Sequence, residues 1–231
     1  MKYKGIFFDL DGTLLALDMD RFLEQYLRGL TGKVARHVPP EHFVKSLMAA
    51  TKDMQTNDGR GTNEQVFAQS FFAKVDSQPE QLMPLFDDFY ANEYKALGDG
   101  IEPLPSARKA VELALQHGAK VVVATNPLFP RIAVETRLHW AGLADMPFDH
   151  ITSYENSSFC KPNPAYYQEI LDKFNLQGKD CLMVGNDPLE DLAASELDFD
   201  TFLLEDHMIE RNSKYQPTWR GSWDQLLEIL E

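Results

Sequence analysis

Cysteine is scarce in this chain, with only Cys160 and Cys181 in 231 residues. That is too few for a disulfide framework, and it offers no paired spacing of the kind structural zinc requires. The six histidines, His37, His42, His117, His139, His150 and His207, form no H-x-x-x-H or comparable ligand pattern, so they read as surface or partly buried side chains. Positive charge is also short: 22 Lys and Arg stand against 36 Asp and Glu, for a formal net charge of −14. Nucleic-acid backbones and anionic membranes select basic patches, so neither is expected as a partner. No apolar run approaches the roughly 20 residues needed to span a bilayer. Met1-Lys2-Tyr3-Lys4-Gly5 has no signal-peptide pattern, and there is no internal repeat or low-complexity segment. These absences point to a cytoplasmic chain.

A hydrophobic fraction of 44% is enough for a sizeable core. An apolar strand at Gly5–Phe8 comes first, and the stretch from 18 to 97 then reads as helices only: Asp18–Leu30, Pro39–Met54, Thr62–Val75 and Pro79–Leu97. Asp18 and Thr62 suit N-caps, with Gln65 completing a capping box. Pro79 suits a first helical turn, whereas Pro84 is expected to kink or restart the last helix. Strands and helices alternate after Gly100: helix Pro105–Gln116, strand Lys120–Thr125, helix Pro130–Trp140, a short strand near Ile151, helix Pro164–Phe174, strand Cys181–Val184, helix Leu189–Leu197 and strand Thr201–Leu204. This pattern predicts an α/β fold with a doubly wound, mainly parallel, Rossmann-like sheet. The expected core is 1–16 with 98–231, interrupted by helices over 17–97. The tail beyond Asp206, with Trp219, Trp223 and a final helix, is expected to pack on the core.

Polar chemistry gathers where apolar runs end. Asp9 and Asp11 follow Gly5-Ile6-Phe7-Phe8 and precede Gly12-Thr13. Residues two apart in extended chain point the same way, so both carboxylates can face one volume at the strand's carboxyl end, where open α/β sheets bind ligands. Like charges that close raise one pKa and divide an acid partner from a nucleophile or metal ligand. Three further stretches follow in order: Val121-Val122-Val123-Ala124-Thr125-Asn126, then Cys160-Lys161-Pro162, then Val184-Gly185-Asn186-Asp187-Pro188-Leu189-Glu190-Asp191. Taken singly, each has a plainer reading: Thr125 as a β-branched strand residue, Lys161 as a loop charge, Asp187 and Asp191 as an acidic helix start. Cys160 beside Lys161 reads either as a lowered-pKa thiol or, more ordinarily, as a small buried hydrophobe.

Together, in this order across residues 5 to 191, the motifs resemble those of the haloacid dehalogenase-like superfamily, in its phosphatase branch, similar to phosphoglycolate phosphatases with an inserted helical cap. The resemblance implies a magnesium-dependent hydrolase acting on a small phosphorylated metabolite. It implies Asp9 as nucleophile, Asp11 as general acid and base, and Thr125, Asn126 and Lys161 as the phosphate cradle. It also implies magnesium held by Asp9, the Asp11 main-chain carbonyl and Asp187, with Asp191 either ligating or orienting a metal-bound water or Lys161. The helices over 17–97 would form the cap that selects the substrate. Within them, Arg60 in Asn57-Asp58-Gly59-Arg60-Gly61 is the one cationic candidate near a turn, for a substrate carboxylate or second phosphate, against the alternative of a solvated turn. A phosphomutase is the competing enzyme, and a non-catalytic phosphate-binding or signalling protein of the same fold the competing class. A metal-free dehalogenase has no use for Asp11 or the acidic fourth motif. The oligomeric state is open.

Overall fold

The computed structural model describes residues 2–231. Six strands form one sheet: β1 (Gly5–Phe8), β2 (Lys120–Val123), β3 (His150–Ile151), β4 (Cys181–Gly185), β5 (Asp200–Leu204) and β6 (Trp219–Gly221). Their order is β3-β2-β1-β4-β5-β6, and every pairing is parallel. The central strands β1 and β4 are apolar throughout because both faces of the sheet are covered there. Ile6, Phe8, Val121, Val123, Leu182 and Val184 join one buried cluster. Phe7, Val122, Cys181 and Met183 join the other. The alternation of neighbours between two cores is the period-two geometry of a strand made visible.

The expected helices are present, in order α1 (Met19–Val34), α2 (Pro40–Gln55), α3 (Asn63–Phe72), α4 (Pro79–Ala91), α5 (Pro105–Gln116), α6 (Arg131–Trp140), α7 (Pro164–Phe174) and α8 (Trp223–Leu230). Asp18 caps α1 by accepting from the Arg21 N–H at 3.1 Å, and Thr62 with Gln65 closes a capping box on α3. Three details depart from expectation. α4 runs unbroken through Pro84 before a 3₁₀ turn at Glu93–Gly98. A proline inside a helix costs about 3 kcal/mol, but Leu82, Phe86 and Phe89 are buried from the same helix, each contributing roughly 1.5–3 kcal/mol. The segment expected as helix Leu189–Leu197 is instead a 3₁₀ helix at Asp191–Leu197, preceded by a turn in which the Asp187 carboxylate takes the N–H groups of Leu189 and Glu190. The tail adds both β6, on the edge of the sheet beside β5, and α8, packed on α5.

The first four helices, α1 to α4, form an aromatic insert between β1 and α5. Phe43, Phe67, Phe71 and Phe86 pack in a cluster with ring centroids 5.5–6.2 Å apart. Phe22 and Tyr26 of α1 reach Phe129, in the loop after β2, at 6.0 and 5.3 Å. The buried Asn63 side chain at the start of α3 donates to the carbonyls of Pro127 and Phe159 at 3.2 and 3.3 Å. The insert is therefore pinned at the two loops that carry Thr125 and Lys161.

Candidate active site

Parallel strands put all their carboxyl ends on one edge. In register, Phe8 lies opposite both Val123 and Val184, so Asp9, Thr125 and Asp187 leave three adjacent strands within two residues of one another's level. The Asp9 N–H donates to the Val184 carbonyl at 2.9 Å, and the Ala124 N–H to the Phe8 carbonyl at 2.7 Å. These bonds carry the ladder up to the first functional residues.

Lys161 is the hub of the cluster. Its Nζ donates to Asp9 Oδ1 at 2.9 Å and to Asp191 Oδ1 at 2.6 Å, with 1% of its side chain exposed. Burial alone disfavours the ammonium, but the charges of Asp191 and Asp9 outweigh it and hold the Lys161 pKa well above its ordinary value. Asp191 Oδ2 accepts the Asp187 N–H at 2.9 Å, and that approach needs Gly185, because a Cβ there would collide with the Asp191 carboxylate. Asp187 Oδ1 in turn accepts the N–H groups of Leu189 and Glu190 at 2.8 and 3.0 Å. Gly12, with φ +82°, occupies the left-handed region where Asn186 leaves no room for a side chain. Asn186 is fixed by the Thr13 hydroxyl at 3.3 Å and by its own bond to the His207 carbonyl at 2.7 Å.

Thr125 is buried, and its hydroxyl makes no hydrogen bond among the described residues. Its carbonyl is held by the Thr152 and Tyr166 hydroxyls at 2.7 and 2.9 Å. Asn126 Nδ2 donates to Glu190 at 2.9 Å, which ties the loop after β2 to the loop after β4. The structure thus brings Asp9, Asp11, Thr125, Asn126, Lys161, Asp187 and Asp191 together on one edge. Arg60 is not brought there: it is half exposed on a turn, with its guanidinium 3.7 Å from Asp58. Cys160 is buried, and burial first of all pushes its thiol up to about 12, away from a reactive thiolate.

Two arginines were not anticipated. Arg137, on α6, is 1% exposed and ion-paired with Asp11. Its guanidinium carbon lies 4.6 Å from the centre of the Phe129 ring. The burial of Asp11 pushes its carboxyl up to about 6, with Arg137 pulling down and Asp9 pushing up. One signal existed in the sequence: Arg137 falls four residues after Ala133, three after Val134 and next to Leu138, on the buried stripe of its helix. Arg211 comes from the loop between β5 and β6, which has no periodicity to read, and pairs with Asp187 and, at 3.4 Å, with Glu190.

Residues 3–196 match the family model of the haloacid dehalogenase-like hydrolases. The chain belongs to that family. It is 26% identical to the pyrimidine 5'-nucleotidase PynA of Streptococcus pneumoniae, over all of this chain and 96% of that protein. It is also 26% identical to a phosphoglycolate phosphatase of Rhodospirillum rubrum, over 81% of this chain and 73% of that one. Among solved structures, the HAD-hydrolase YfnB of Bacillus subtilis, in a form bound to magnesium, superposes with a TM-score of 0.59 at 18% identity, covering both chains fully. L-2-haloacid dehalogenases superpose to a similar degree, so the fold by itself does not separate the chemistries this hydrolase family carries.

Proposed function

We propose that this hydrolase is a magnesium-dependent phosphatase that cleaves a small phosphomonoester through an aspartyl-phosphate on Asp9. The observation behind the reading is the contrast within one pair: Asp9 gripped by the Lys161 ammonium at 2.9 Å, and Asp11, two residues on, buried and lifted to about 6. A nucleophile has to be anionic, whereas an acid–base partner has to exchange a proton near neutral pH. Displacement of halide needs no such proton donor, which favours phosphate chemistry over dehalogenation.

In the first half-reaction an Asp9 carboxylate oxygen bonds to phosphorus while the bond from phosphorus to the leaving oxygen breaks, and Asp11 gives that oxygen its proton. In the second, Asp11 takes a proton from a water whose oxygen attacks phosphorus, and the bond to Asp9 breaks to release inorganic phosphate. The free Thr125 hydroxyl and the Lys161 ammonium serve as donors to the phosphoryl oxygens. Asn126, with its amide on Glu190, holds the Thr125 loop in place beside them.

The oxygen-rich edge suits a hard cation. Asp9 and Asp187 offer carboxylate oxygens, and the main-chain carbonyl of Asp11 accepts none of the described hydrogen bonds. Magnesium takes oxygen ligands and usually keeps several waters, so two carboxylates and one carbonyl are enough to hold it. Asp191 accepts from the Lys161 ammonium on one oxygen and from the Asp187 N–H on the other, which suits it to fixing both, whereas Asp187 Oδ2 meets only the partly exposed Arg211, a contact that a cation would replace. Five carboxyl groups, Asp9, Asp11, Asp187, Glu190 and Asp191, face only three cations, Lys161, Arg137 and Arg211. Magnesium would offset that excess and the charge of the phosphoryl group. We further propose that the insert, over 17–97, acts as the cap that selects the leaving group.

The test is phosphate release by the purified protein from a panel of sugar phosphates, nucleotides and phosphoglycolate-like acids. Chelation should abolish release, and Asp9→Asn should reduce it to background with no phosphorylated protein trapped. Undiminished turnover after complete metal removal would overturn the magnesium assignment. A phosphorylated Asp9→Asn protein would overturn the nucleophile, and phosphate moved within a sugar without release would make the enzyme a mutase.

A further inference from the structure

We infer that Arg137 is a positioning residue for the reaction, holding one oxygen of Asp11 so that the other faces the leaving group. The inference rests on the acid–base reading of Asp11. Arginine and a carboxylate readily pair fork to fork, with two parallel hydrogen bonds. Here they do not. Arg137 Nη1 donates to Asp11 Oδ2, while Asp11 Oδ1 and Arg137 Nη2 are both buried without any partner. A pair serving stability alone has every reason to satisfy those atoms, because each one left open costs the desolvation of a polar group. The open Asp11 oxygen, once protonated, is free to donate to the leaving oxygen of a substrate, and the open guanidinium N–H is free to donate to an acceptor the substrate brings.

Arg137 is itself fixed before it fixes Asp11. Its Nε donates back to the Ala133 carbonyl at 3.4 Å, one turn earlier in α6. Its guanidinium stacks on Phe129, a ring that contacts Phe22 and Tyr26 of α1. The line of contact therefore runs from the insert, through Phe129 and Arg137, to the proposed proton donor. It gives the insert, through α1, a mechanical hold on the acid that is separate from any contact its helices make with substrate.

The test is a double-mutant cycle, Arg137→Met and Asp11→Asn, read on a good leaving group (p-nitrophenyl phosphate) and on a poor one (an alkyl phosphate). Arg137→Met should lower kcat for the alkyl phosphate by about 10²-fold, with a much smaller effect on the nitrophenyl ester and little change in KM. In the Asp11→Asn background the same substitution should cost almost nothing, since both act on one step. The double variant leaves no unpaired buried charge, so it also guards against a fold failure of the single one, and added guanidinium should restore part of the Arg137→Ala activity. Equal losses on both leaving groups, or full additivity in the cycle, would overturn the inference. If Asp11→Asn itself proved fully active, the acid–base reading would be what failed.

Discussion

The carboxyl edge of the sheet and the interior of the helical insert are both buried, yet the edge is built from charge and the insert's interior from rings. At the edge, Lys161, Asp9, Asp187 and Asp191 lock one another through bonds of 2.6–2.9 Å, and each backbone approach is prescribed, down to Gly185. Under the insert a cavity of about 770 Å³ is walled by Tyr26, Phe67 and Phe86 from the helices and by Leu128, Phe129 and Tyr154 from the loops after β2 and β3. Apolar walls tolerate exchange of one side chain for another of similar volume, whereas a buried ionic network does not. The same molecule can hold its chemistry constant and let its preference for leaving groups drift.

That contrast is breakable, and the largest effect should come from the edge. Lys161→Met strands Asp9 and Asp191 together without their shared cation. It should abolish turnover on every substrate and destabilise the fold by about 3–5 kcal/mol, as removal of one partner from a buried ionic cluster does. Activity on the substrate panel and a urea melt check it, and a Lys161→Met protein still active on any one substrate would mean the edge is more tolerant than drawn here. A smaller and selective effect is expected in the cavity. Ala68→Trp, which fills space beneath the insert, should raise KM for bulky phosphomonoesters by about 10–200-fold and leave acetyl phosphate untouched. Uniform loss across the panel would show that the cavity and the edge are not separable. The smallest effect is expected at Arg60→Ala, whose guanidinium meets only Asp58 at the surface. Exposed pairs of this kind contribute about 0–1 kcal/mol, so KM and melting temperature should both stay put, and a substrate-specific rise in KM would bring the turn into the site.

The two regions also differ in how far they could be read from the chain alone. The edge was legible because each strand is an apolar run and each run ends in a residue with no reason to be buried: Asp9, Thr125, Asp187. Parallel pairing then does the assembly, since βαβ connections leave the strands' carboxyl ends together. Helix positions in the insert were legible from caps and periodicity, Thr62 with Gln65 being the clearest case. What it encloses was not, because Tyr26, Phe67, Phe86 and Phe129 are far apart in sequence and each looks like any core aromatic. Arg137 was hidden for the opposite reason: a basic residue on an amphipathic helix is ordinarily solvated, and only the burial of its neighbours marks it. Arg211 sits in an aperiodic loop, and Asn63 resembles a turn residue, so nothing in the sequence names their partners across the fold.

Asp9 begins where β1 ends, and β1 is one of the two central strands of the sheet, with a partner on either side and all four residues buried. Amides so placed exchange with solvent only when the whole domain opens, unlike those of loops and helix ends. The group proposed to take up phosphate is thus mounted on the slowest-breathing piece of chain, and a substitution that loosens β1 would forfeit geometry and fold in the same event. If the insert selects the leaving group, as proposed, changes of substrate can be made there without a substitution in the anchoring strand.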